Sequence, residues 1–180
     1  LNAVLSATNT VTIDKTGGTV TLNAGVGTAT PGTASPDGIL KLAGADWITI
    51  DGLTLTDGNV TNPATMEVGI GMYKLSATDG CNNNTIQNCT INMQRINNAS
   101  GSGPLVEGAV GIGMYNSILT TASTTLTVTA ASGSNSNNKF YTNTITGGNY
   151  GMALIGFAAS TPFTLADQGN DIGGTATGTG

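Results

Sequence analysis

The stretch Asp46-Trp-Ile-Thr-Ile-Asp-Gly-Leu-Thr-Leu55 decides the fold, because its pattern returns at residues 82–91 and 136–145. Two columns of the aligned copies are apolar: Ile50, Ile86 and Phe140 in the first, and Leu55, Ile91 and Ile145 in the second. A third column, three residues after the first, holds Leu53, Cys89 and Asn143. Side chains of a strand alternate between its faces, so inward residues spaced by three require a bend. Each copy therefore predicts a strand, a two-residue corner and a second strand.

A second repeated unit alternates with the first. Val68-Gly-Ile-Gly-Met-Tyr73 recurs letter for letter at residues 110–115 and in weaker form at residues 150–155. The copies of the longer phrase are spaced by about 36 and then about 54 residues, so loops of different size interrupt a regular pattern. One such turn cannot bury its own apolar face, which predicts a solenoid. Because equivalent residues recur in the same chain direction, we expect parallel strands stacked about 4.8 Å apart.

The composition favours β-structure and excludes several partners. Charged residues make up 8% of the 180 residues, compared with roughly 25% in ordinary soluble domains. The net charge of −5 and the lack of a basic cluster argue against nucleic acid and anionic membranes as partners. The sequence has no run of 18 apolar residues, so it predicts no membrane-spanning helix, and the first residues do not resemble a signal peptide. We expect residues 1–180 to form one segment of a much larger repetitive protein.

Three stretches carry a resemblance to known proteins: residues 44–52, 83–91 and 169–174. They resemble right-handed parallel β-helix proteins, the architecture of pectate lyases, phage tailspikes and many adhesins. Within that group they look most like β-helix segments of very large secreted bacterial surface proteins. The resemblance covers roughly residues 37–180 and implies an all-β, right-handed parallel β-helix with open ends. It also implies a secreted, cell-surface location, while function carried from fold alone is an analogy.

The residues do not form a recognisable catalytic centre. Glycoside hydrolysis needs two facing carboxylates, but the ten acidic residues are scattered without an adjacent pair. The chain contains no His, and its five basic residues, Lys15, Lys41, Lys74, Arg95 and Lys139, are isolated. We therefore expect no catalytic residue, no metal site and no cofactor. The predicted function is a structural or adhesive module; the alternative is a β-helix domain that binds or cleaves carbohydrate.

Several individual residues have two interpretations each. Trp47 either stacks on a sugar ring or packs under a neighbouring loop. Tyr73 and Tyr115 either form an exposed aromatic ladder for glycans or cap the core at a corner. The Asn-rich corners favour a structural stack over a cation site, because Asn tolerates left-handed backbone and hydrogen-bonds its own chain. Cys81 and Cys89 are expected to be free thiols, with Cys89 a small buried side chain.

Glycines in the second repeated unit suggest an interaction face. If Val68, Ile70 and Met72 point inward, the intervening residues point outward and leave a nearly bare sheet. This predicted partner-docking face consists of Gly69, Gly71, Gly111, Gly113, Gly151 and Ala153. The insertions at residues 92–108 and 116–135 are candidates to cover it; alternatively, Gly only relieves crowding. Other expected partners are the chain's own further coils or neighbouring subunits at both open ends, surface glycans, and secretion or anchoring proteins.

Overall fold

The computed structural model describes residues 5–27, 36–59, 66–94, 109–121 and 123–174. Within these ranges the chain forms short strands and a single 3-10 turn at Ala131–Gly133. The strands are β1 (Val11–Asp14), β2 (Thr21–Asn23), β3 (Gly38–Ala43), β4 (Ile48–Asp51), β5 (Thr54–Thr56), β6 (Val68–Lys74), β7 (Thr85–Gln87), β8 (Thr90–Asn92), β9 (Val110–Ile118), β10 (Lys139–Tyr141), β11 (Thr144–Thr146), β12 (Tyr150–Ile155) and β13 (Asp171–Gly173).

The strands form three parallel sheets, because each coil of the chain contributes one strand to each sheet in turn. The middle sheet has the order β1-β4-β7-β10-β13, and the threonine sheet has the order β2-β5-β8-β11. The tyrosine sheet has the order β3-β6-β9-β12. All the pairings between these strands are parallel. The chain is a parallel β-helix, as the sequence predicted.

The columns read from the sequence are the columns of the solenoid. In the middle sheet Ile50 pairs with Ile86, and Ile86 pairs with Phe140. In the threonine sheet Leu55 pairs with Ile91, which pairs with Ile145. Ile50, Leu55 and Ile91 are fully buried, and burying one such side chain contributes about 1.5–3 kcal/mol to folding. The stacked aliphatic columns therefore form the core.

The predicted two-residue corner lies between the middle and threonine sheets. Its first residue has a left-handed backbone in three successive coils, with φ of 69° at Gly52, 54° at Asn88 and 54° at Thr142. Its second residue faces the core, where Leu53 and Cys89 are 3% and 1% exposed. The spacing of three residues between inward side chains, such as Ile50 and Leu53, is thus produced by this corner of the backbone.

The inward and outward alternation predicted for the tyrosine sheet is wrong at its first glycine. Ile70 and Met72 join the core, but Val68 packs with Tyr73 on the outer side of the sheet. A methyl group at Gly69 would lie 2.6 Å from Ile91 Cγ2, so Gly69 points into the core. Gly111 similarly faces Ile145. A residue without a side chain lets the strand change which side faces inward at this point.

The insertion at residues 116–135 is anchored on the turn that follows β6. Thr129 N donates to Ala77 O at 3.0 Å, and Gly80 N donates to Ser132 O at 2.9 Å. The fully buried Lys74 donates from Nζ to Gly133 O at 2.6 Å and forms an ion pair with Asp167 at 3.5 Å. Burial lowers the pKa of Lys74, while Asp167 opposes that shift. Most of the other candidate cover, residues 92–108, lies outside the described residues.

Candidate binding groove

A second corner, which leads into the middle sheet, is also left-handed in every described coil from residue 47 onward. The φ angles are 56° at Trp47, 59° at Asn83, 58° at Asn137 and 67° at Gly169. Successive coils are joined here by backbone bonds; for example, Trp47 N donates to Asn82 O at 3.1 Å and Asn83 N donates to Ser136 O at 3.0 Å. Gly and Asn adopt this conformation readily, whereas a bulky side chain does so at a cost. Trp47 is thus the strained member of the column.

Buried asparagines hold this corner in place. Asn84 Nδ2 donates to Asn138 Oδ1 at 3.0 Å, and Asn138 Nδ2 donates to Asn170 Oδ1 at 3.2 Å. Asn84 Oδ1 in turn accepts a hydrogen bond from Ile48 N at 3.0 Å. Buried amides that are paired with one another and with backbone groups fix the local geometry. The asparagine stack predicted from the sequence is confirmed.

A groove of about 450 Å³ runs along the outer side of this corner, across the strands. The described residues that line it are Thr10, Trp47, Thr49, Asn83, Thr85, Asn137 and Lys139. Trp47 is half-buried and belongs to neither apolar cluster of the described residues. The groove is therefore open to solvent and combines one indole with hydroxyl, amide and ammonium groups.

The polar groups of the groove are not used within the described structure. The side chains of Thr49, Asn83, Thr85, Asn137 and Lys139 make no hydrogen bond or ion pair with described residues. Thr49 and Thr85 are paired across β4 and β7, and Lys139 pairs with Thr85 on the next strand. The groove thus presents a row of polar side chains in which each of three adjacent coils contributes one member: Thr49, Thr85 and Lys139.

Charges beside the groove are mostly engaged with the protein. Tyr141 Oη donates to Asp171 Oδ2 at 2.7 Å, and this hydrogen bond raises the pKa of Tyr141. Asp51 accepts hydrogen bonds from Gln87 Nε2 at 2.6 Å and Asn88 Nδ2 at 2.8 Å. Among the groove's described lining residues, Lys139 carries the single formal charge. Asp171, the register partner of Lys139 on β13, places a carboxylate next to this ammonium-bearing residue.

The predicted glycan-stacking role of Tyr73 and Tyr115 is wrong, because both side chains are fully buried. Their ring centroids lie 5.3 Å apart, and they pack with Val68, Val110 and Ala153. Burial raises the pKa of both phenols. Neither ring has the accessible face that a sugar requires.

The tyrosines also explain why the predicted docking face is not bare. A methyl group at Gly71 would lie 2.7 Å from Tyr73 Cε2, and one at Gly113 would collide with the Tyr115 ring. Ala153 is buried in the same cluster, whereas Gly151 has open space above it. Gly69 and Gly111 point inward, as described above. Of the predicted face, Gly71 and Gly113 are therefore the positions over which the chain's own aromatic rings lie.

The cysteines and carboxylates have structural partners. Both thiols are free, and Cys89 is buried, as predicted; Cys81 is buried too. Cys81 Sγ contacts Tyr73 O at 3.1 Å, and burial raises the pKa of Cys81 to about 12. Asp46 accepts a hydrogen bond from Asn82 N at 2.6 Å, and Glu67 accepts one from Asp37 N at 2.7 Å. Burial raises the pKa of both carboxyl groups. Within the described ranges, Cys, Asp and Glu side chains form no group of three suited to hold a metal ion.

Of the residues that line the groove, the sequence predicted a binding role only for Trp47. The fourth position of the repeated phrase, which holds Thr49, Thr85 and Lys139, was a detectable signal because it forms a polar, outward column in the alignment. A binding role for this column becomes apparent only in the structure, where it lies beside the left-handed corner and lines the same groove.

Comparisons with models of known protein families, with curated proteins and with solved structures gave no match. None of the helical structure in the described part of the chain is long and apolar enough to cross a membrane. Function must therefore be inferred from the geometry of the residues themselves.

Proposed function

We propose that this chain is a structural and adhesive module of a secreted cell-surface protein, built to continue a solenoid and without catalytic activity. The observation that carries the proposal is that, among the described residues, no further strand pairs with the outermost strand of any of the three sheets at either end. β1, β2 and β3 form one end, and β13, β11 and β12 form the other. Free strand edges pair readily with further strands.

Both ends expose side chains that belong to core columns. At one end, Ile172 continues the column of Ile86 and Phe140 but is 50% exposed. At the other end, a groove of about 430 Å³ beside the free edge of β3 includes Leu5, Ile13 and Leu40 in its lining. Another coil stacked on either end would bury this apolar surface, at about 25 cal/mol for each Å². The expected neighbours are further coils of the same chain or adjacent subunits.

The carboxylates support a structural role over a catalytic one. Asp46, Asp51 and Glu67 accept hydrogen bonds that join one coil to the next or hold a turn. Asp167 accepts a hydrogen bond from Asn135 N at 2.8 Å and pairs with Lys74. A general acid needs a carboxyl group directed at a substrate, whereas these groups are directed at the protein backbone and its neighbours.

A surface location is consistent with the outer columns of the solenoid. The threonine sheet presents Thr21, Thr54, Thr90 and Thr144 outward, paired coil to coil. Few charges and many hydroxyl groups give a surface suited to a long, regular stalk. Together with the resemblance to bacterial surface proteins, this supports secretion, with anchoring or secretion proteins and surface glycans as further partners.

Sedimentation velocity over a range of concentrations tests the proposed end stacking. The unmodified chain should self-associate, and Ile172→Asp should shift it toward monomer because a charge would be buried at the stacked end. Thr144→Asp is the matched control, since Thr144 is exposed on the outer face of an edge strand. A chain that stays monomeric at high concentration, or an equal response to the two substitutions, would count against the proposal.

A further inference from the structure

We propose that the groove formed by Thr10, Trp47, Thr49, Asn83, Thr85, Asn137 and Lys139 binds an extended glycan chain that carries carboxylate groups. Trp47 is the stacking platform, and Lys139 contacts an acidic sugar. This binding is an additional activity that does not depend on stacking of the solenoid ends. The two proposals involve different surfaces and can fail separately.

The conformation of Trp47 is the first argument. The next three coils fill its column with Asn83, Asn137 and Gly169, residue types that suit the left-handed backbone. If the corner only had to turn the chain, Asn or Gly would suit residue 47 equally well. Instead an indole occupies the strained position, where it is half-buried and outside both apolar clusters. Strain retained at an accessible aromatic residue points to a function in binding.

The unused polar groups are the second argument. An indole face packs against the C–H face of a sugar ring, while hydroxyl and amide groups pair with the ring's hydroxyls. Thr49 and Thr85 supply hydroxyls, and Asn83 and Asn137 supply amides, all without partners among described residues. Successive coils repeat about every 4.8 Å, which is close to the length of one pyranose unit in an extended glycan. The groove therefore offers one set of contacts for each sugar.

Lys139 indicates that the ligand carries negative charge. Lys139 is part of the groove lining, and its ammonium group forms no ion pair with the described residues, including Asp171, its register partner on β13. A carboxylate on the sugar would supply a charge-assisted hydrogen bond. The net charge of −5 disfavours a densely charged polyanion such as a nucleic acid, so isolated carboxylates along a glycan fit better. The described lining contains no carboxyl group, so the groove lacks the acid–base pair that cleavage requires.

Intrinsic fluorescence provides a direct test, because Trp47 is the only tryptophan in the chain. The probes are a hyaluronan hexasaccharide, in which every second sugar is acidic, and the neutral chitohexaose. We expect a saturable change in emission with the hyaluronan probe and weaker binding of chitohexaose. Lys139→Gln should weaken binding of the acidic probe by about tenfold, the loss of one charge-assisted contact, and leave the neutral probe unaffected.

Trp47→Asn separates binding from stability. Asn suits this column, so the variant should unfold at the same temperature as the parent chain or higher, yet lose binding of both probes in titration calorimetry. Thr85→Val, which removes one groove hydroxyl, should weaken binding, and Thr54→Val on the threonine sheet is the matched control with no effect.

The proposal would be overturned if neither probe bound the parent chain saturably, or if Trp47→Asn bound as tightly as the parent. If Trp47→Asn unfolded the chain while Thr85→Val and Lys139→Gln bound normally, Trp47 would be a packing residue only.

Discussion

Two outer surfaces of this solenoid carry aromatic side chains and place them in opposite environments. On the tyrosine sheet, Tyr73 and Tyr115 are completely buried and stacked with centroids 5.3 Å apart. Along the groove, Trp47 is only half-buried and lies beside polar groups. Both surfaces are built from the same coils, so the fold as a whole does not explain the difference.

One difference between the two surfaces is the residue that stands two positions before the aromatic side chain. Tyr73 and Tyr115 follow Gly71 and Gly113, and each ring lies over the space that the glycine leaves empty. Trp47 instead lies at a corner with φ of 56°. The same position in the next two coils is held by Asn83 and Asn137. The two tyrosine rings thus lie over glycines and pack with Val68, Val110 and Ala153, whereas Trp47 lies among the polar residues of the groove.

The largest contrast is expected between the inner and outer faces of β7. Ile86→Ala should reduce the free energy of unfolding by about 2–5 kcal/mol, because Ile86 is 1% exposed and its removal leaves a cavity. Thr85→Ala, in the groove wall, should cost well under about 1 kcal/mol. Urea denaturation of both variants measures the difference. Similar losses would mean that the groove wall supports the fold as strongly as the core does.

Filling a tyrosine hollow should have the next largest effect. Gly113→Thr should reduce the free energy of unfolding by about 1–3 kcal/mol, because the new side chain collides with the buried Tyr115 ring. Gly151→Thr is the matched control: nothing lies within 4 Å of that position, so better strand propensity should leave stability equal or slightly higher. Thermal unfolding monitored by circular dichroism compares the two. Equal stability of the two variants would show that the rings do not depend on the hollows.

Alkaline titration distinguishes the buried tyrosines from accessible groups. Because burial raises the pKa of Tyr73 and Tyr115, their contribution to stability is complete below the ordinary phenol pKa of about 10 and is lost as pH rises beyond it. Tyrosinate absorbance should therefore show a late phase that coincides with unfolding in circular dichroism. The double variant Tyr73→Phe/Tyr115→Phe should lack that late phase. Persistence of the phase in this variant would assign it to other residues.

The smallest effect is expected from removing one buried hydroxyl group. Tyr115 Oη has no hydrogen-bond partner among the described residues, and a buried unpaired polar group is costly. Tyr115→Phe should therefore raise the free energy of unfolding by up to about 1 kcal/mol. Tyr141→Phe, which removes the bond to Asp171, is the control and should not be stabilising. A loss of stability in Tyr115→Phe would indicate that the hydroxyl is satisfied after all.

The sequence predicted the columns, the corners and the parallel stacking because these features are local and repeated. The spacing of three between Ile50 and Leu53 is set by one corner of the backbone, and its recurrence identifies the coil. The same holds for the asparagines, whose preference for left-handed backbone is a property of the residue itself. The prediction failed at Gly69, where strict alternation gave the wrong face, because a glycine carries no side chain to indicate a change of direction.

The sequence by itself therefore determined that this chain is a parallel β-helix, which side chains stack in each column, and that its two thiols remain free. Only the tertiary structure decided that Tyr73 and Tyr115 are buried over glycine hollows, and that Trp47 meets Thr85 and Lys139 in one groove. The physical reason is the range of the interactions. A corner depends on the few residues that form it, whereas a hollow or a groove depends on side chains from different coils, separated by loops of unequal length, that become neighbours only after the coils stack.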